Sequence, residues 1–169
     1  MQRLVIIRGN SGSGKSTVAK QLQYRMGYQT MLIPQDVVRR EILRVRDIDN
    51  NPSVQLVYDL AMYGGKIGYD VIVEGIFVNE RYGNMLKKLI SDFPGESYVY
   101  YFDIPIEVTL QRHSSKPNAH EFGEKELREW YIEKDHLGTT NERTILADMD
   151  QGQILQMFAE DTQLTNFNL

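Results

Sequence analysis

The chain has 169 residues, 41% of them hydrophobic and 25% charged, with no cysteine, which excludes a disordered or low-complexity protein, a disulfide scaffold and cysteine-ligated zinc. The net charge of −4 is divided unevenly, +5 over residues 1–90 and −9 over residues 91–169. That balance disfavours general duplex nucleic-acid binding and leaves the basic excess of the first half for a small polyanion. Apolar runs are short (Leu4 to Ile7 is four residues), far from the ~20 of a membrane span. Arg3, Arg8 and Gly9 interrupt the start before a secretory apolar region develops. The expectation is a soluble cytoplasmic protein forming one domain over residues 1–169, with no membrane partner.

Residues 3–7 read as a buried strand, short, rich in β-branched side chains and closed by Gly9. A helix follows from Lys15, with Val18, Leu22 and Met26 on one face and Gly27 at its end. Thr30 to Ile33 make a second strand stopped by Pro34, after which Asp36 is placed to cap a helix running through Val37, Glu41, Ile42 and Val45. Asn51-Pro52 starts another helix, continued by Leu56 and Leu60 toward Gly68. Asp70-Val-Ile-Val-Glu74 is a further buried strand, followed by a helix around 81–92 and a tyrosine-rich strand from Tyr98 to Asp103. Pro105 opens a helix with Val108 and Leu110; the polar stretch 113–123, with Pro117 and Gly123, is a loop. Residues 124–136 read as helix with Leu127, Trp130 and Tyr131 on the core side. Arg143 to Leu146 is a fifth strand, and Ile154, Leu155 and Phe158 mark a last helix. Strands alternating with helices imply a three-layer α/β domain around a parallel sheet.

Between the first strand and first helix stands Gly9-Asn10-Ser11-Gly12-Ser13-Gly14-Lys15-Ser16, followed by Thr17. It fits G-x-x-x-x-G-K-[ST] in the strand–loop–helix context that its chemistry needs. Glycines let the backbone curl so that successive N–H groups point at phosphate oxygens, and the helix dipole favours the same charge. Lys15 is the residue to reach the β- and γ-phosphates and the Ser16 hydroxyl to ligate Mg²⁺, while Asn10, Ser11 and Ser13 act mainly through their backbone. Asp36 lies just beyond the carboxyl end of the second strand, where a doubly wound sheet opens its ligand crevice. A carboxylate there can accept the proton of an attacking hydroxyl, or it can simply cap the helix. Glu74 ends its strand where it can serve magnesium or orient the attacking group. His113, His120 and His136 show no metal-ligand spacing.

The phosphate loop, the short second strand leading to Asp36-Val37-Val38-Arg39 and the chain length resemble the small P-loop kinases. That group includes polynucleotide kinases, chloramphenicol phosphotransferase, zeta-toxin-type kinases and the gluconate and shikimate kinases. The resemblance implies a five-stranded parallel sheet in the order 2-3-1-4-5 and a lid at about 113–123. It also implies ATP with Mg²⁺ as cofactors, Asp36 as the acid that orients or deprotonates the acceptor, and Arg39 as acceptor clamp with Arg40 as its understudy. Arg112 matches the first lid arginine; the later place holds Lys116, without arginine's fork. Residues 147–150 fall where similar proteins line the adenine. The expected activity is γ-phosphoryl transfer from ATP to a hydroxyl of a small molecule. Alternatives are a polynucleotide 5′-hydroxyl kinase, a toxin-type nucleotide-sugar kinase, or a nucleotide-binding switch or ATPase. Against a switch, the chain lacks N-K-x-D, and its D-x-x-G, Asp92 to Gly95, precedes a strand.

Overall fold

The computed structural model describes residues 1–114 and 123–164. Its strands are β1 (Arg3–Gly9), β2 (Thr30–Pro34), β3 (Asp70–Gly75), β4 (Glu96–Asp103) and β5 (Glu142–Leu146). All pair in parallel, in the order β2-β3-β1-β4-β5, as the kinase resemblance implied. The α-helices are α1 (Lys15–Met26), α2 (Ser53–Lys66), α3 (Asn79–Asp92), α4 (Ile106–Ser114), α5 (Glu124–Trp130) and α6 (Gln151–Asp161).

Parallel strands covered on both faces need apolar residues at every position, and Leu4 to Ile7 are each fully buried. Their period of two divides the core. Leu4 and Ile6 join Val71 and Val73 against Val57 and Ala61 of α2 and Tyr82, Leu86 and Leu89 of α3. Val5 and Ile7 join Ile72, Tyr100 and Phe102 against Val18 and Leu22 of α1 and Leu155 and Phe158 of α6. Each such aliphatic side chain contributes about 1.5–3 kcal/mol on burial, so β1 anchors both layers. Register sets the ends of three strands level: Ile7 pairs with Glu74, and Glu74 with Pro34. Whatever follows β1, β2 and β3 therefore converges on one edge of the sheet. Among the described residues no helix is long and apolar enough to cross a membrane.

Two local expectations are corrected. After β2 the chain forms a π-helical turn over Val37–Ile42, not an α-helix reaching Val45. Asp36 has helical backbone angles and makes no side-chain cap; its carboxylate is taken by Arg39, at 3.1 Å. The Leu43 amide bonds to the Val38 carbonyl five residues back, which widens the turn; such insertions recur at functional sites. The helix expected over 124–136 ends at Trp130. There the Asn10 side chain binds both the Ile132 carbonyl (2.7 Å) and its amide (3.0 Å), taking backbone groups a further turn would need. Trp130 is half exposed rather than core, while Leu127 is buried.

Candidate active site

The phosphate loop joins β1 to the twelve-residue α1, whose first residue is Lys15. Gly12 has φ +76°, and a Cβ there would lie 2.9 Å from the Thr109 carbonyl oxygen, so α4 packs directly on the loop's backbone and only glycine fits. The Lys15 ammonium is buried and donates to the Asn10 carbonyl at 2.8 Å and to the Ser13 hydroxyl at 3.2 Å. An anion arriving at the α1 N-terminus meets free amide ends, the helix dipole and this ammonium together.

The loop is the wall between two cavities. On one side, about 220 Å³ is lined by Ser13, Gly14 and Thr17 of the loop and helix, by Phe102, Ile104 and Arg112, and by Leu146, Met149 and Ile154. Its mostly apolar lining suits a flat base. On the other side lies a cavity of about 260 Å³, which we call the transfer cavity; Ser11, Gly12, Lys15, Ser16, Asp36, Arg40, Glu74 and His113 all line it.

Most of the expected site residues thus meet across these two cavities, with three differences. Arg40, not Arg39, lines the transfer cavity; Arg39 stands behind Asp36, bonding its carboxylate and the Val45 carbonyl. Arg112 belongs to the base-side cavity and donates to the Ser13 carbonyl at 2.8 Å. Asn10 works through its side chain as well as its backbone, tying the loop to residue 132. Of residues 147–150, Met149 alone lines the base-side cavity, and Asp150 caps α6 by accepting the Gln153 amide. The expected lid falls mostly outside the described residues, Lys116 and His120 included.

Sequence reasoning passed over His113, which is 5% exposed and lines the transfer cavity from α4. The signal was its spacing of four from Thr109: both are buried polar residues on the helix face turned to the loop. Gly75 closes β3 and lines the same cavity. A Cβ on it would stand 2.4 Å from Gln35 Oε1, which accepts the Phe77 amide, so β2 and β3 close together beneath the cavity only because this residue is glycine.

Glu74 and Ser16 form the candidate metal position. The Ser16 hydroxyl donates to Glu74 Oε1 at 3.1 Å. Burial raises the Glu74 carboxyl above its usual range; the Lys15 ammonium and the Ser16 hydrogen bond oppose this, and the Asp36 charge adds to it. A buried carboxylate with an unfavourable charge is offset by a divalent cation, and two hard oxygen donors suit Mg²⁺ shared with phosphate and water. Among the described residues no cluster of three or more His, Cys, Asp or Glu side chains gathers for a metal.

Residues 4–131 match the AAA domain family. The chain belongs to that family. Solved structures place this AAA domain further at the level of fold. A sugar kinase from a Janibacter species superposes with a TM-score of 0.72 at 17% identity, covering 98% of this chain and 97% of its own. The APS kinase of Mycobacterium tuberculosis gives 0.67 at 17% identity over 96% and 98%, and a gluconokinase of Sinorhizobium meliloti gives 0.62 at 17% over 94% of each. No curated protein matches this AAA domain in sequence. The resemblance to small P-loop kinases that the phosphate loop suggested holds across the whole fold.

Proposed function

We propose that this AAA domain is a kinase that moves the γ-phosphoryl group of ATP, with Mg²⁺, onto a hydroxyl of a small molecule. The observation that carries this reading is the transfer cavity itself: an ammonium on the phosphate loop, a hydroxyl–carboxylate pair and a separate carboxylate face one space from three elements. A bare hydrolase or switch needs the first two; a second carboxylate from beyond β2 is what an incoming hydroxyl needs. The shared fold supports it, since the APS kinase structure is described in complex with AMPPNP and APS, a nucleotide and an acceptor held together.

In this reading the base sits against Phe102, Leu146 and Met149, and the polyphosphate crosses the loop to the transfer cavity. Lys15, which donates to the Asn10 carbonyl here, turns to the phosphates when they bind. Ser16 and Glu74 would hold Mg²⁺, which would supply positive charge to screen the phosphoryl oxygens. Asp36 takes the acceptor's proton, and the Arg39 hydrogen bond fixes one carboxylate oxygen so that the other is presented in a set direction. Little covalent chemistry is asked of the protein; placement and charge supply most of the acceleration.

The test is ADP release with ATP and Mg²⁺ over a panel of hydroxyl compounds that includes single-stranded oligonucleotides and nucleotide sugars. Lys15→Met abolishes turnover in this scheme, and full activity in that variant refutes the role of the loop. Slow hydrolysis with no phosphorylated product from any acceptor replaces the kinase by a switch or ATPase.

A further inference from the structure

Residues 131–136, and the Asn10 side chain that grips them, have no part in the steps above. That side chain is buried and meets both backbone groups of one distant residue: its Nδ2 donates to the Ile132 carbonyl at 2.7 Å and its Oδ1 accepts the Ile132 amide at 3.0 Å. A primary amide pairs in this way because it carries a donor and an acceptor side by side; a carboxylate, which only accepts, would face the Ile132 carbonyl with nothing to give. Ile132 is in turn held from both sides. Tyr131 donates its hydroxyl to the Ile104 carbonyl at 3.0 Å, and the Asp135 amide donates to the Tyr101 hydroxyl at 3.0 Å. The Asp135 carboxylate accepts from Arg8 and from the Asn79 amide, each at 2.9 Å, and Asn79 Nδ2 donates to the His136 carbonyl at 2.9 Å.

The backbone of Asn10 bears on the phosphate side. Its carbonyl is among the acceptors of the Lys15 ammonium, at 2.8 Å, with the Ser13 hydroxyl at 3.2 Å. Gly9, immediately before it, has φ +143°, and sterics alone leave such a junction free to rotate. The carbonyl keeps one direction only if something outside the loop fixes the residue, and the paired bonds to Ile132 do so. A continuous path of contacts therefore runs from the buried Arg8 through residues 131–136 and the Asn10 amide to the Asn10 carbonyl and the Lys15 ammonium. An ammonium already in place has less order to lose when an anion arrives. A neutral carbonyl gives it up readily, because charge-assisted bonds to phosphate are roughly twice as strong.

We propose that Asn10 is the positioning residue for Lys15: by gripping the backbone at Ile132 it fixes the carbonyl that holds the ammonium ready for the β- and γ-phosphates. This rests on the nucleotide-binding half of the kinase reading and asks nothing of the acceptor. An Asn10 that merely stitched residues 131–136 to the loop would change stability and leave the chemistry of Lys15 alone. The two roles part once Lys15 is removed, because positioning then has nothing to act on, whereas stitching continues.

Two measurements separate them, and neither needs a phosphoryl acceptor. Titration calorimetry gives the affinity for ATP with Mg²⁺ of the unaltered protein, Asn10→Ala, Lys15→Met and the double variant. Asn10→Ala is expected to weaken ATP about tenfold in the parent, within the range for neighbours of one network, and less than about twofold on the Lys15→Met background. The second measurement is amine acetylation by acetic anhydride in the nucleotide-free protein, read peptide by peptide by mass spectrometry. Lys15 should label several-fold faster in Asn10→Ala, while Lys20, on the same helix, labels at an unchanged rate. Asn10→Ser is run beside it with melting curves on both, so that one poorly folded variant does not decide the matter. An affinity loss equally large with and without Lys15, or a Lys15 labelling rate unmoved by either substitution, overturns the inference and leaves the kinase reading standing. No affinity for ATP in the unaltered protein overturns both. The expected coupling with no transfer to any acceptor upholds the role of Asn10 and overturns the kinase reading alone.

Discussion

Arg8 is the largest fully buried side chain in the molecule's described residues, at the carboxyl end of β1 immediately before the phosphate loop. Its guanidinium donates to the Phe77 carbonyl at 2.8 Å, to Asp135 Oδ2 at 2.9 Å, to the Asp135 carbonyl and to Glu142 Oε1 at 3.3 Å, and lies 5.4 Å from the centre of the Tyr101 ring. Asp135 Oδ2 also accepts the Asn79 amide at 2.9 Å, so one cation ties β1 to the chain after β3, the segment before β5 and β5 itself. Arg8→Met keeps much of the volume and removes every donor. It strands two carboxylates, and breaking a buried pair from one side costs about 3–5 kcal/mol, a large part of an ordinary stability of ~5–15 kcal/mol. At about 2–4 °C per kcal/mol for a chain of this size, the melting temperature should fall by ~6–20 °C. Calorimetry or circular dichroism measures this directly, with urea unfolding as a second probe. The double variant Arg8→Met/Asp135→Asn should recover part of the loss, because it no longer leaves that charge uncompensated. A melting temperature within about 2 °C of the unaltered protein, roughly 1 kcal/mol or less, would refute the account of Arg8 as the tie.

Asp36→Asn should cut phosphoryl transfer by ~10²–10⁴-fold while ATP affinity by calorimetry stays nearly constant; equal loss of both would reduce Asp36 to a structural residue. Glu74→Gln separates stability from function. Because burial holds the folded carboxyl pKa above 4.5, the native state binds more protons than the unfolded chain, and stability falls as pH rises from that value through the folded one. The amide removes the charge that burial penalises, so thermal scans without metal should show the variant more stable than the parent at pH 7–8, with the gap closing below pH 4.5. The same variant should lose ~10–100-fold in Mg²⁺-dependent turnover; a variant less stable at pH 8 and no different at pH 4 would contradict the sign.

The phosphate loop was legible because its function needs consecutive residues: a curl of amides, a lysine and a hydroxyl cannot be scattered. The apolar runs at Leu4–Ile7 and Val71–Val73 likewise announced strands buried on both faces, and both are fully buried. Periodicity alone did not order those strands; the order came with the kinase resemblance. What stayed hidden depends on distant partners. Arg8 entered the sequence reading only as an interruption of the N-terminal apolar run, and its carboxylates lie more than a hundred residues away at Asp135 and Glu142. A charged residue inside a strand covered on both faces must nonetheless find a counter-charge, which was the available clue. Helix α5 stopped early because Asn10, from the other end of the chain, claimed the Ile132 backbone, an override that local propensity cannot register.

The cavities on the two flanks of the phosphate loop have no lining residue in common. If the protein is the kinase proposed, nucleotide and acceptor are then held at the same time for direct transfer, and initial-rate plots should intersect, not run parallel as for a double displacement. The same partition favours a tethered inhibitor: a nucleoside joined through a phosphate chain to an acceptor mimic would occupy both chambers at once, gaining ~10²–10⁴-fold in affinity over either half when the tether matches the crossing.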